Sequence, residues 1–151
     1  MNRILLISLA LFLIPAINKF EAKGQISVSS ATGYAVNVII QPKVIVPAGN
    51  SCQFGYNYNV KLNYTVSFSG TNIPSSLFTL QGYIGCGSAT HFFSLPTSGG
   101  TGTLTTTSNV WRSQSDCATA TVNSLGCNQV TLEIHGPGIG NRTVSFSVQT
   151  I

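Results

Sequence analysis

QFGYNYNVKLNYTVSF, residues 53–68, alternates without a break: Phe54, Tyr56, Tyr58, Val60, Leu62, Tyr64, Val66 and Phe68 take the even positions, and Gln53, Gly55, Asn57, Asn59, Lys61, Asn63, Thr65 and Ser67 the odd ones. Successive side chains of a β-strand point to opposite faces, so this period of two gives one apolar, aromatic-rich face and one face of small polar groups. The stretch therefore predicts half-buried antiparallel sheet. Drawn out straight at about 3.3 Å per residue it would run to roughly 50 Å, longer than most strands. A bulge or bend is expected near Gly55 or Asn57–Asn59. Tyr56, Tyr58 and Tyr64 share the apolar parity with Val60 and Leu62 and are expected in or at the edge of the core.

Working outward, Ile26–Ser30 predicts a short strand and Tyr34–Val46 another, broken at Pro42, which has no N–H to give to a central ladder. Leu77–Ile84 follows a Pro74-containing loop, with Phe78 and Leu80 expected on one face. A further strand is expected around His91-Phe92-Phe93. Thr101–Thr107 is rich in β-branched residues that suit a pleated surface, and Ala118–Val122 predicts a strand beyond the loop that carries Trp111. Val130, Leu132 and Ile134 alternate cleanly, as do Val144, Phe146 and Val148 beyond Gly136-Pro137-Gly138-Ile139-Gly140, a connection with neither the spacing nor the strand-to-helix context of a nucleotide loop. Eight or nine short strands with turns between them and no helical periodicity predict an all-β, two-sheet antiparallel β-sandwich.

The chain starts with Arg3 and an apolar run, Ile4–Ile17, interrupted by Ser8 and Pro15. The run is short for a membrane span and its flanks match a secretory signal peptide. Small residues before the cut favour cleavage after Ala22-Lys23-Gly24, with cleavage after Ala22 as the alternative. The expected organisation is a leader over 1–24 and a single sandwich domain over 25–151, secreted and with no membrane contact once the leader is removed.

In residues 25–151 the charged side chains are Lys43, Lys61, Arg112 and Arg142 against Asp116 and Glu133, a net charge of +2. Ordinary soluble domains carry about 25% charged residues. The surface must instead be Asn, Gln, Ser, Thr and Gly, with few like-charge repulsions to keep sheet edges of neighbouring molecules apart. Nucleic acid is not an expected partner, because phosphate binding needs clustered Lys and Arg.

Cys52, Cys86, Cys117 and Cys127 in an exported chain predict two disulfides. Of the three connectivities, Cys52 with Cys86 and Cys117 with Cys127 is favoured by the turn signal Asn123-Ser124-Leu125-Gly126. A regular hairpin there would hold Cys117 too far from Cys127 for a bond, so the pairing is in tension with its own geometry. No Cys-x-x-Cys knuckle supports a zinc site.

In outline the chain resembles immunoglobulin-like domains. The resemblance is architectural only: no Trp lies between Cys52 and Cys86, and Tyr83 stands three residues before Cys86 rather than two.

Candidate chemistry is sparse. Asp116, Glu133, His91 and His135 are the only carboxylates and histidines of residues 25–151. That is thin material for a glycoside hydrolase pair, and no Gly-x-Ser-x-Gly elbow serves a serine route. No enzyme, cofactor or metal is expected. Glu133 and His135, two apart on a strand, read as a solvated face rather than the start of a metal site.

For ligand binding, Trp111 and Arg112 pair an aromatic face with a donor suited to a sugar ring, with Trp111 in the core as the alternative. The odd face with Asn57, Asn59 and Asn63 offers amides to glycans or to another sheet. Asn63-Tyr64-Thr65 and Asn141-Arg142-Thr143 match the glycosylation sequon. The function expected is a non-catalytic extracellular structural, adhesive or self-assembling subunit that partners itself or another extracellular protein through edge strands, with cell adhesion in view. The alternative is a glycan-binding module.

Overall fold

The computed structural model describes residues 22–45, 59–87, 89–107 and 126–150. Nine strands follow in chain order: β1 (Ala22–Ser29), β2 (Tyr34–Ile45), β3 (Asn59–Gly70), β4 (Thr79–Cys86), β5 (Ala89–Ser94), β6 (Gly100–Thr107), β7 (Gln129–Gly136), β8 (Gly140–Ser147) and the two-residue β9 (Gln149–Thr150). They form two antiparallel sheets, one ordered β6-β3-β2-β1-β9 and the other β5-β4-β7-β8. No helix occurs among the described residues.

Alternation explains the layering. Even residues of β2 and β3, Val36, Val38, Ile40, Val60, Leu62 and Val66, are buried, and so are Leu80, Ile84, Val130, Leu132 and Ile134 of the second sheet. One apolar cluster joins the inner faces of both sheets, with Tyr64 and Phe68 packed against it. The odd face of β3 looks outward, as its sequence predicts: Asn63, Ser67 and Ser69 are exposed and Asn59 is half-buried.

Two features tie the sheets at one end. The buried Tyr34 hydroxyl donates to the Pro137 carbonyl at 2.5 Å, and Ala31 N–H donates to the Gly138 carbonyl at 2.8 Å, so the β1–β2 turn docks on the β7–β8 turn. Gly138 and Gly140 hold φ of 69° and 71°, values a side chain disfavours. Burial pushes the Tyr34 hydroxyl above its ordinary pKa, so it stays a donor.

Three expectations are corrected. Cys86 is bonded to Cys127, which overturns both expected pairings. The reason is register: Gly85 stands opposite Gln129, so the end of β4 meets the residues that lead into β7. Cys52 and Cys117 lie outside the described residues. Second, β2 runs through Pro42, which stands opposite Leu62. The β1–β2 ladder ends at the pair Gly24–Ile40, before it would need a donor from Pro42, and Ala22 and Lys23 pair with β9 instead. Third, Phe78 does not share the inward face of Leu80. It precedes β4, its N–H donates to the His135 carbonyl, and its ring is 66% exposed, while Leu77 is the buried neighbour. Gly55, Asn57 and Tyr58, where a bulge or bend is expected, lie outside the described residues, and the alternating stretch is described from Asn59 and continues to Gly70. The expected strand at 118–122 also lies outside the described residues.

Two predictions come from this framework. Replacing Cys86 and Cys127 together by Ser opens a link spanning a sequence separation of 41, which the chain-entropy model values at about 4 kcal/mol. Denaturant unfolding of the double variant should show a loss of that order, and an unchanged midpoint refutes the role. Lys43 and Lys61 stand directly opposite each other on β2 and β3, and like charges so placed repel by roughly 0.2–1 kcal/mol. Lys61→Glu should therefore raise the unfolding midpoint at low ionic strength, with a gain that shrinks in molar salt; a lower midpoint at every salt concentration counts against that register.

Candidate functional site

The outer face of the β5-β4-β7-β8 sheet carries the most exposed aromatic side chain among the described residues. Phe92 is 75% exposed on the edge strand β5, and opposite it on β4 stands Tyr83, 36% exposed. Their rings lie 5.7 Å apart between centroids, tilted by 58°, a favourable edge-on separation for two aromatic rings. One rung along the sheet, Gln81 stands between Ser94 of β5 and Glu133 of β7. Gln81 Nε2 donates to Glu133 Oε2 at 2.8 Å. The two rungs border an open depression of about 450 Å³.

Local sequence explains this placement. In β4 the residues Leu80, Gly82, Ile84 and Cys86 turn inward, which leaves Gln81 and Tyr83 on the outside. Gly82 allows the close approach of β7: a Cβ there would collide with the Thr131 carbonyl and the Leu132 side chain. Any larger residue would push β4 from β7 and part Gln81 from Glu133. In β5, His91 and Phe93 are buried, whereas Thr90, Phe92 and Ser94 face out.

Chemically, the site offers two ring surfaces, one amide, one hydroxyl and one carboxylate. It can hold a ligand with an apolar face and a polar rim. It does not assemble an acid–base pair with a histidine. His91 points into the core from β5, while His135 sits outward on β7 with its ring edge-on to Phe78 at 5.0 Å. No group of three or more His, Cys, Asp or Glu side chains that could hold a metal stands together among the described residues.

The residues singled out from sequence are scattered. Trp111, Arg112, Asp116 and Asn57 lie outside the described residues. Asn59 opens β3, and Asn63 is exposed at mid-strand with its Oδ1 accepting from Thr103 Oγ1 at 2.8 Å. Asn63 and Asn141, the sequon asparagines, are both exposed, one on the outer face of β3 and the other near the start of β8. Tyr83 and Phe92 were not among the expected site residues, although their parity with Gln81, Thr90 and Ser94 marks an outward face.

No family model, no curated protein and no solved structure matches the chain. What the site does must be argued from its chemistry.

Burial lowers the pKa of His91 from its ordinary value, because the charged ring would lose its hydration. The unfolded chain then binds a proton that the folded chain resists, so stability is intact above about pH 6.5 and falls as pH drops through the lowered folded value. His91→Leu should flatten the pH dependence of the thermal midpoint between about pH 6.5 and 5, and parallel profiles for the two proteins would refute the assignment.

Proposed function

We propose that this chain is an exported, non-catalytic β-sandwich with a structural or adhesive role outside the cell, making contacts through exposed sheet edges. The observation that carries the reading is β6. Among the described residues it ends its sheet, runs for eight residues, and holds neither a charge nor a proline. Edge strands in stable monomers are usually blunted by Lys, Pro or a bulge. An unblunted one is a template for main-chain pairing with another strand, in a second copy or another extracellular protein.

Other features agree with export. The buried Cys86–Cys127 bond fits an oxidising compartment, and no helix among the described residues is long and apolar enough to cross a membrane. Strand order supports an immunoglobulin-like assignment of the sandwich. With β2, β3 and β6 read as A, B and E, and β5, β4, β7 and β8 as C′, C, F and G, both sheets keep the neighbours of that fold. The chain departs from it in the disulfide, which joins β4 to β7 within one sheet, and in the added β1 and β9.

Light scattering and electron microscopy over a wide concentration range test the reading. We expect species larger than the monomer, growing with concentration and suppressed by Thr101→Lys with Thr103→Lys on the β6 edge. A protein that stays monomeric throughout and forms no fibres would sink the proposal.

A further inference from the structure

The geometry points to a glycan-binding site on the outer face of the second sheet, in which Tyr83 and Phe92 receive the apolar C–H face of a neutral sugar residue while Gln81, Ser94 and Glu133 hydrogen-bond its hydroxyls. The inference rests on the reading of the chain as an extracellular contact protein, and it names the chemistry of what is contacted.

Exposure is the first observation. Leaving Phe92 75% exposed forgoes much of the stabilisation that burying such a side chain would contribute. Here Phe92 is paired on one rung with Tyr83, itself 36% exposed, rather than standing alone, and an exposed aromatic pair marks a contact surface. The second observation is what lies beside them. Residues two apart on a strand are separated by about 6.6–6.8 Å, so the Ser94–Gln81–Glu133 row runs one rung from the aromatic row, across three strands. A sugar ring lying on the aromatic pair would therefore present its rim of hydroxyls to that row.

The donor and acceptor set matches a polyol. Ser94 offers a hydroxyl that both donates and accepts, Gln81 an amide with both capacities, and Glu133 a carboxylate that only accepts. The Gln81–Glu133 bond at 2.8 Å orients both side chains before any ligand arrives, which lowers the entropic cost of binding. At about 450 Å³ the depression falls within the usual size of small-ligand sites. An aromatic pair beside a carboxylate also suits an organic cation. Two tilted rings on an open face do not enclose one, however, so the neutral sugar is the better fit.

The exported protein should be screened on an array of neutral and acidic oligosaccharides, and hits titrated by calorimetry against Phe92→Ala, Tyr83→Ala and Glu133→Gln. All three side chains lie on an exposed face, and thermal melts check that each variant folds. We expect binding of neutral oligosaccharides, weakened at least tenfold by Phe92→Ala and by Tyr83→Ala and more modestly by Glu133→Gln. Glycan binding unchanged in both aromatic variants overturns the site. So does binding of tetramethylammonium in preference to any sugar. A blank array from a protein that still self-associates through β6 overturns the glycan site and leaves the adhesive reading standing, whereas a blank array from a strict monomer removes both.

Discussion

The period-two burial of β2, β3, β4 and β7 is the constraint from which the rest of the molecule follows. Sliding any of these strands by one residue would turn its buried Val, Ile and Leu outward and bring in the other face, with polar side chains such as Asn37, Lys61, Gln81 and Glu133. Each such apolar side chain contributes about 1.5–3 kcal/mol when fully buried, so a single slipped strand, with its three or four buried side chains, would forfeit an amount comparable to the whole stability of an ordinary domain. Register is consequently fixed along the full length of β2 and β3, even where fixing it opposes Lys43 to Lys61. The core tolerates that repulsion because the apolar term is far larger.

β7 is bracketed by two fastenings. At its start Cys127 is bonded to Cys86, and just past its end Pro137 accepts the Tyr34 hydroxyl from the other sheet. One link is covalent and holds neighbours within a sheet. The other is polar and holds the two sheets together. Between them lies the strand whose outward side chains, Glu133 among them, border the aromatic pair. The platform is thus built on one of the best-anchored parts of the chain, as a site that must present side chains in fixed positions requires.

Much of this was legible in the residue order. The alternation of residues 59–68 and of Val130, Leu132 and Ile134 gave strand type and face directly, and the composition around His91-Phe92-Phe93 and Thr101–Thr107 gave strands without their faces. The disulfide was not legible, because pairing by proximity in sequence ignores that β4 and β7 become neighbours only after two intervening strands have been placed. Phe78 misled for a related reason: its parity with Leu80 holds only inside a strand, and β4 begins one residue later. The aromatic platform was half legible. His91-Phe92-Phe93 reads as an apolar run, yet Phe92 shares parity with Thr90 and Ser94, and that parity places it outside.

Pairing of β1 with β9 bears on the proposed export. Among the described residues, Gln149 and Thr150 pair in the ladder with Lys23 and Ala22, which would fall on the leader side of a cut after Gly24. Such a cut would remove the whole of that ladder, whereas a cut after Ala22 would keep Lys23 opposite Gln149. If the proposed leader is removed, the choice of scissile bond would therefore also set how the last strand is held.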